Sequence, residues 1–223
     1  MDNRTQCVRV ESAISCRKQL ISGVVHGSVL GPLPFLLYVD DVVKLFSSSV
    51  LCKLYADDVK LYSVIQTEQD ASELHSSLDA LVAWSDQWQL SISSKKSAVL
   101  CLGQTHIDQC YVIKQNNVSL VSEIRDLGVL IDDKLTMSRH ICALVKKAQT
   151  RASLIFKCFH SRNRVTLLKA FITNVRPLLE YATPVWSLYT LMDISKIKSV
   201  QRSFTKRLPG LRNVPYTKRL FSG

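Results

Sequence analysis

Residues 50–65 read VLCKLYADDVKLYSVI, and this stretch decides how the first half of the chain folds. β-branched and aromatic residues are frequent in residues 50–55 and 59–65, and little more than Asp57 and Asp58 separates the two runs. Two β-prone runs so closely spaced predict a β-hairpin. On a tight turn both carboxylates can face one cleft, whereas within a strand they would point to opposite faces.

Two adjacent carboxylates on a turn have two interpretations. Asp is a common turn residue, so the pair can be an ordinary acidic hairpin turn. Alternatively, hard divalent cations such as Mg²⁺ prefer oxygen ligands, and two such ions clamp the attacking and leaving oxygens of nucleotidyl transfer. The tetrapeptide from Tyr55 to Asp58 does not by itself decide between them.

The surrounding residues predict a mixed α and β first half. Residues 67–88 carry a capping-box pattern at Thr67 and Asp70, followed by apolar side chains at helical spacing, which predicts an amphipathic helix. We expect an antiparallel sheet with helices packed on one face. Strand-like runs that would join the hairpin in it are 88–93, 97–102, 110–114 and 118–121 about Asn116-Asn117, and 127–131.

From Ser138 the apolar spacing changes to the 3.6-residue period of a helix. An apolar stripe from Ile141 to Phe159 predicts one helix, residues 164–175 predict a second that ends before Pro177, and residues 192–208 predict a third. The chain is therefore predicted to be α+β, with a boundary near residues 132–138. Basic side chains fall on the outer faces of the first and third helices: Lys146, Lys147, Arg151, Lys198, Arg202 and Lys206.

The charge is distributed unevenly along the chain. Residues 1–133 hold 11 Lys and Arg against 16 Asp and Glu, a net charge of −5, whereas residues 134–223 hold 18 against 2, a net charge of +16. So basic a block requires a polyanion or many counterions, and nucleic acid is the default partner. For any single cation the alternative is a solvated helix face.

Length and composition exclude several classes of protein. The chain has 223 residues, of which 47% are hydrophobic, enough for the cores of one or two domains. The most apolar stretch, residues 24–39, contains His26, Pro32 and Pro34, so we expect no membrane span. The N-terminus lacks the apolar core of a signal peptide, so we expect an intracellular protein of cytoplasm or nucleus and not a secreted one. Seven scattered cysteines without a CxxC pair predict reduced, mostly buried thiols and no zinc cluster.

Several further short sequence motifs lie before and after the hairpin. Residues 22–32 read SGVVHGSVLGP and precede the hairpin; Trp84, Trp88, Leu90, Lys96 and Gly103 follow it; then come Asp126-Leu127-Gly128-Val129 with Asp132 and His140, VRPLLEYA at 175–182 and VQRSFTKR at 200–207. In this order the strings resemble the reverse transcriptase of LINE-type (non-LTR, jockey-like) retrotransposons. The resemblance covers nearly the whole chain.

The resemblance implies a partial polymerase palm with the Tyr55-Ala56-Asp57-Asp58 hairpin in residues 1–133 and an all-α basic thumb in residues 134–223. It implies RNA-directed DNA polymerase chemistry, which joins deoxynucleotides to a primer 3′-OH with two Mg²⁺ or Mn²⁺ ions, and an RNA template and RNA/DNA duplex as partners. Asp57 would be the principal metal ligand, Asp58 its neighbour, and Tyr55 would lie next to the primer terminus. Four residues would position the template or the nucleotide: Gly23, His26, Gly27 and Ser28. Lys96 would lie near the nucleotide phosphates, or it is simply a solvated lysine. The basic helix faces would bind the nucleic-acid backbone.

Three departures from the family pattern limit what the resemblance implies. The family's first catalytic aspartate and its fingers precede the region that residues 4–17 resemble, so we expect a fragment that holds metal weakly and is inactive alone. Val25-His26 replaces Pro-Gln, which changes the polar contacts available there. Pro34 replaces an aliphatic residue and is predicted to disturb the first turns of the next helix.

Two alternatives remain beside the polymerase fragment. The chain can be a non-catalytic nucleic-acid-binding module, or a retroelement remnant without a function.

A second Tyr-x-Asp-Asp string, Tyr38-Val39-Asp40-Asp41, is expected on the helix before the hairpin, where its carboxylates would diverge by about 100° and would not share a metal.

Overall fold

The computed structural model describes residues 4–20, 23, 27–103, 110–187 and 190–220. These residues form two compact units, each of which has its own apolar core. Within the described residues, the first unit comprises those up to 97 together with 110–118, and the second comprises 98–103 together with 119–220. The predicted division into a palm and a thumb at residues 133 and 134 stays a prediction.

The strands pair two by two, which differs from the predicted single antiparallel sheet. The described residues contain six two-stranded sheets, five antiparallel and one parallel. Alternation predicts that a run is extended, but not which run it pairs with. The antiparallel pairs are β1 (Thr5–Gln6) with β4 (Lys18–Gln19), β2 (Arg9–Val10) with β3 (Ala13–Ile14), β5 (Leu51–Tyr55) with β6 (Asp58–Tyr62), β8 (Val112–Ile113) with β9 (Asn116–Asn117) and β11 (Glu123–Asp126) with β12 (Val129–Asp132); β7 (Ala98–Leu100) and β10 (Ser119–Val121) are parallel.

Two of the predicted strand positions are wrong in detail. Residues 88–93 form no strand, because the backbone N–H of Leu90 bonds the Ser85 carbonyl and Gln89 has a φ of 57°, which ends the preceding helix in a left-handed turn. The turn expected about Asn116-Asn117 lies at Lys114 and Gln115, whose φ values of 46° and 67° suit a type I′ turn.

The helices agree closely with the helical spacing of the sequence, and the mixture of helices and small, mostly antiparallel sheets is compatible with the predicted α+β class. Pro34 does not disturb the helix, because Pro32 and Pro34 both lie in its first turn, where backbone N–H groups have no intrahelical acceptor. Pro177 likewise lies at the start of a short helix that follows the predicted second one. The helices are α1 (Pro32–Val39), a 3₁₀-helix (Asp40–Leu45), α2 (Glu68–Gln87), α3 (Ser138–Cys158), α4 (Arg164–Asn174), α5 (Arg176–Glu180), α6 (Leu191–Lys206) and α7 (Tyr216–Leu220).

The first unit packs the β5–β6 hairpin and α2 around a small core. The predicted capping box is confirmed: the Thr67 hydroxyl accepts the Asp70 N–H at 3.2 Å, and the Asp70 carboxylate accepts the Thr67 N–H at 2.8 Å. Leu81 and Trp84 of α2 are buried with two valines from the preceding helices, and Leu54 and Leu61 of the hairpin pack against them. The apolar face of the hairpin is thus anchored to this core.

The second unit buries aromatic side chains between α3, α4 and α6. Phe204 is only 2% exposed, and its ring centroid lies 4.9 Å from that of Phe156 and 4.4 Å from that of Phe171. The predicted apolar stripe of α3 is confirmed up to Phe156. Phe159 lies just beyond the helix end at Cys158 and is exposed, because the chain becomes extended there.

The Asp126-Leu127-Gly128-Val129 string forms the turn between β11 and β12. Leu127 and Gly128 have positive φ values of 44° and 87°, the pattern of a type I′ hairpin turn. The Tyr181 hydroxyl donates to the Leu127 carbonyl at 2.7 Å, and a Cβ on Gly128 would meet the Tyr181 ring at 3.2 Å. Two strings that are far apart in the sequence therefore meet in one structural contact.

His140 is buried at the start of α3, with its Nδ1 accepting the Leu130 N–H at 3.2 Å. Its Nε2 has no hydrogen-bond partner in the described part of the chain. Burial, and next the positive charge of Arg125, lower the pKa of His140 below its usual value. The folded state therefore favours the neutral form of this imidazole.

Because the unfolded chain binds a proton at His140 more readily, stability will fall as the pH drops through about 6.5 towards the lower folded pKa, and will be fully present above about 6.5. Urea unfolding at a series of pH values measures this. His160→Gln, at an exposed histidine, should keep the pH dependence and His140→Gln should lose part of it. Equal pH dependence in both variants would contradict the assignment.

All seven cysteines are free, as predicted, but they are not mostly buried. Cys7, Cys16, Cys110, Cys142 and Cys158 are exposed, and Cys52 and Cys101 are half-buried. Burial raises the pKa of the Cys52 thiol. The expectation of buried core thiols was wrong because Cys142 and Cys158 lie off the apolar stripe of α3, and Cys7, Cys16 and Cys110 lie in exposed loop segments.

Candidate functional site

The predicted hairpin is confirmed, and the Tyr55-Ala56-Asp57-Asp58 tetrapeptide forms its tip. Antiparallel pairing runs from Leu51 opposite Tyr62 to Tyr55 opposite Asp58, so Ala56 and Asp57 alone make the turn. Of these two, only Ala56 has a positive φ, 52°, which is the pattern of a type II′ turn. Asp57 therefore lies in the turn itself and Asp58 is the first residue of β6.

The two faces of the hairpin differ in chemistry. Directly opposed residues of an antiparallel pair share a face, so Asp58 lies on the same face as Tyr55, together with the Lys53 and Lys60 pair. The opposite face carries the leucines that pack against the core of the first unit. Tyr55 is 64% exposed, and Asp57 and Asp58 are exposed as well. The tip therefore presents two carboxylates and one phenol to solvent.

The carboxylates suit a hard divalent cation in type but do not complete a ligand set. Mg²⁺ and Mn²⁺ prefer carboxylate oxygens, and Asp57 and Asp58 offer them on adjacent residues. Among the described residues, no three His, Cys, Asp or Glu side chains are grouped so as to hold a metal ion. Asp57 and Asp58 fit the role of two ligands of a larger site.

The second Tyr-x-Asp-Asp string has a structural role. Asp40 and Asp41 lie in the 3₁₀-helix after α1, not on α1 itself, because the α-helix tightens after Val39. The Asp41 carboxylate accepts the indole N–H of Trp84 at 3.1 Å. Asp41 therefore joins this turn to α2.

The glycine-rich segment before α1 is described only in part. Gly23 and Gly27 have positive φ values of 93° and 79°, conformations that favour glycine. The Ser28 hydroxyl accepts the Gly31 N–H at 2.8 Å and so fixes the entry into α1. His26, predicted to contact template or nucleotide, lies outside the described residues.

Lys96, the predicted phosphate contact, lies in a turn before β7. It is exposed, and its backbone N–H bonds the Ser93 carbonyl at 3.0 Å. No ion pair of its ammonium group is present within the described ranges. Its proposed role stays a prediction.

The basic side chains predicted on α3 and α6 are all exposed. On α3 they are Lys146, Lys147 and Arg151, and on α6 they are Lys198, Arg202 and Lys206. Arg202 lies over the ring of Tyr216 from α7, with its guanidinium carbon 5.0 Å from the ring centroid. None of the six forms an ion pair with another described residue, so these long cationic side chains can reach a polyanion.

Sequence reasoning missed a cluster of cations beside the end of α6. Arg162, Arg207 and Arg212 line a cavity together with Lys206, which the helical spacing predicts only as part of the outer face of α6. These three arginines lie in loops or at a helix cap, where no helical period draws attention to them. The density of cations in residues 206–212, KRLPGLR, is a signal for Arg207 and Arg212, whereas no local pattern of the sequence marks Arg162.

In the part of the chain that the structure describes, no helix is long and apolar enough to cross a membrane.

Comparisons with known proteins identify the family. The sequence model described as "Reverse transcriptase (RNA-dependent DNA polymerase)" matches residues 4–131. The chain is 27% identical over 219 residues to the Drosophila melanogaster protein named "Probable RNA-directed DNA polymerase from transposon X-element", covering 94% of this chain and 24% of that protein. It is 28% identical over 221 residues to "RNA-directed DNA polymerase from mobile element jockey" of Drosophila funebris, with the same coverage.

The chain thus spans about a quarter of the length of the curated relatives it matches. No solved structure matches it significantly. The family match covers more than half of the chain and includes the whole β5–β6 hairpin. The chain therefore belongs to the reverse transcriptase (RNA-dependent DNA polymerase) family, and the predicted resemblance to its LINE-type, non-LTR members is confirmed.

Proposed function

We propose that this chain is a fragment of a retrotransposon RNA-directed DNA polymerase, in which the β5–β6 hairpin forms part of the nucleotidyl-transfer site. The observation that carries the proposal is the exposed tip of that hairpin. It presents Asp57 and Asp58 as adjacent oxygen donors, with Tyr55 beside them, in a chain that belongs to the reverse transcriptase family. The ancestral reaction joins deoxynucleotides to a primer 3′-OH on an RNA template.

Each residue of the hairpin tip has a proposed role. Asp57 and Asp58 would hold Mg²⁺ or Mn²⁺, and such ions stabilise charge on the attacking and leaving oxygens. The exposed ring of Tyr55 would pack beside the primer terminus. The buried leucine face would keep the tip in place, because it fixes the hairpin to the core of the first unit.

The other predicted residues would position substrates. Gly27 and Ser28, with Gly23 and His26, would lie against the template or the incoming nucleotide, and Lys96 would contact its phosphates. In this proposal residues 1–133 are a partial palm and residues 134–223 are a thumb. The exposed cations of α3 and α6 would hold the RNA/DNA duplex by phosphate contacts without reading its sequence.

We further propose that the 223-residue chain does not polymerise by itself. Two clamped metal ions need several oxygen ligands, and among the described residues no three His, Cys, Asp or Glu side chains are grouped so as to hold a metal ion. Metal should therefore be held weakly. The relatives named as RNA-directed DNA polymerases are about four times longer than this chain, which covers 24% of each.

A second candidate function is supported by the charge of the second half. A net charge of +16 over residues 134–223, with exposed cations on two helices, suits a nucleic-acid-binding module that has no catalytic role. This candidate needs no metal at the hairpin. A remnant without any function is the third alternative, and it predicts no specific binding.

One experiment separates the two nucleic-acid-binding candidates from a remnant without a function. The full chain is mixed with a DNA primer on an RNA template, deoxynucleotides and Mg²⁺, and both duplex binding and primer extension are measured. We expect the duplex to bind and the primer to stay unextended. Extension that is lost in Asp57→Asn would show that the chain is active alone, and absence of duplex binding would contradict both the polymerase and the binding-module proposals.

A further inference from the structure

A cavity of about 580 Å³ lies beside the end of α6 in the second unit. Four cationic side chains line it: Arg162, Lys206, Arg207 and Arg212. Apolar groups, chiefly Phe156 and the buried Leu208, form part of the same wall. We name this site the α6 cavity.

The charges of the α6 cavity have no acidic partner in their own half of the chain. The acidic residues of residues 134–223 are Glu180 and Asp193. Glu180 accepts from Arg176 at 2.6 Å, and Asp193, which is 2% exposed, accepts from Lys196 at 2.8 Å. Both carboxylates are therefore engaged elsewhere.

Helix ends explain only part of the clustering. α3 and α6 both end near the cavity, at Cys158 and Lys206, and a helix C-terminus carries roughly half a negative charge that attracts cations. Two such ends offset about one of the four positive charges. The remaining charge, about +3, is available to an anion.

The wall of the cavity is held in a defined shape. The guanidinium of Arg207 lies 4.1 Å above the centroid of the Phe156 ring, whose neighbour on the core side is Phe204. Arg162 donates to the Phe156 carbonyl at 3.1 Å. The chain beyond α6 is fixed by the buried Leu208 and by turn hydrogen bonds, so little ordering remains when a ligand binds.

We propose that the α6 cavity binds a backbone phosphate of a nucleic-acid strand. Guanidinium groups present N–H donors in a planar fork that matches phosphate oxygens, and three of the four cations are arginines. The volume exceeds that of a bare phosphate and lies within the roughly 300–1,000 Å³ of small-ligand sites, so it accommodates a nucleotide unit of a strand. The proposal rests on the nucleic-acid role proposed above, and it adds a concave site to the convex helix faces.

Arg212 is the best position for a test. It is exposed, and no hydrogen bond or ion pair of its side chain occurs within the described residues, so Arg212→Gln should leave the fold intact. Lys169→Gln on α4 is the matched control, because Lys169 is also exposed, lies in the same unit and does not line the cavity. Thermal melting of each variant checks the fold, and Arg212→Glu supplies a second, charge-reversed variant.

The measurement is fluorescence anisotropy of an unphosphorylated single-stranded RNA oligonucleotide with the full chain. We expect Arg212→Gln to weaken binding about tenfold, Arg212→Glu to weaken it further, and Lys169→Gln to change it less than about twofold. The slope of log affinity against log salt should fall in magnitude by about 0.7 in Arg212→Gln and stay nearly unchanged in Lys169→Gln. If Arg212→Gln and Lys169→Gln bound the RNA with equal affinity, the proposed phosphate site in the cavity would be overturned, while the proposed function would stand.

Titration with inorganic phosphate distinguishes a cavity that binds a free phosphate ion from one that binds the backbone phosphate of a strand. Phosphate that competes with RNA in the wild type, and competes less in Arg212→Gln, supports the site. Phosphate binding that needs Arg212, together with RNA binding that does not, would assign the cavity to a free anion and overturn the proposal. A chain that binds neither this RNA strand nor an RNA/DNA duplex would contradict both the proposed role of the cavity and the proposed function.

Discussion

Raising the salt concentration from about 50 to about 200 mM will weaken binding of an RNA/DNA duplex to this chain by about 10³-fold. The six predicted cations on α3 and α6 are exposed, and each phosphate contact lowers the slope of log affinity against log salt by about 0.9. Six contacts give a slope of about −5, and a fourfold change in salt then gives about three decades. Fluorescence anisotropy of a labelled duplex at several salt concentrations measures the slope.

Matched variants assign that slope to the basic helices. Lys198→Gln with Arg202→Gln should reduce its magnitude by about two, since two phosphate contacts are lost. Lys44→Gln with Lys95→Gln removes two exposed cations from the acidic half and should leave the slope nearly unchanged. A shallow slope in the wild type, or equal slopes in the two double variants, would exclude α6 as a backbone-binding face.

Phe204→Ala will destabilise the second unit by about 3–5 kcal/mol. The Phe204 ring is 2% exposed and lies between the rings of Phe156 and Phe171, so its removal loses apolar burial and leaves a cavity that three helices cannot close. The free energy of unfolding, from urea titration followed by circular dichroism, measures the loss.

The control for that loss lies on the outer side of α3. Leu154 is 48% exposed, so Leu154→Ala removes a comparable apolar side chain with little cavity and should cost less than about 1 kcal/mol. If Phe204→Ala were no more destabilising than Leu154→Ala, the core between α3, α4 and α6 would not be the one described.

The parts of the fold that were predictable have strong local signals. The period of 3.6 residues sets the stripe of α3 and the bounds of α6 to within about two residues, and the Thr67 and Asp70 capping box marks the start of α2. The hairpin was predictable because two β-prone runs flank a turn too short for any other connection. In each case the information lies within about twenty residues of the chain.

The parts that were not predictable depend on contacts between distant residues. The pairing of β7 with β10 is parallel, and nothing in either run of alternating residues specifies a partner. The bond from Tyr181 to Leu127 joins residues 54 positions apart, and the bond from Trp84 to Asp41 gives a structural role to a motif that a pattern search would assign to metal. The cations of the α6 cavity converge from loops and a helix cap, where no period reveals them.

The candidate site itself was predictable as a pattern but not as a geometry. The sequence places Asp57 and Asp58 between two strands, whereas the structure shows that Asp57 lies in the turn and that Asp58 opposes Tyr55 on one face. That face is fixed by the leucines on the other side, which pack on α2 and its neighbours. The proposed metal ligands are therefore set by the register of the hairpin.

The most direct test of the metal role of this hairpin is Mn²⁺ binding to the full chain, followed by electron paramagnetic resonance of the free ion. Two variants each remove two carboxylates from a Tyr-x-Asp-Asp string: Asp57→Asn with Asp58→Asn, and Asp40→Asn with Asp41→Asn, in which the new amide oxygen at position 41 can still accept from Trp84. We predict weak Mn²⁺ binding in the wild type and in the Asp40 and Asp41 variant, and its loss in the Asp57 and Asp58 variant. Mn²⁺ binding that persists unchanged without the Asp57 and Asp58 carboxylates would contradict the proposed site.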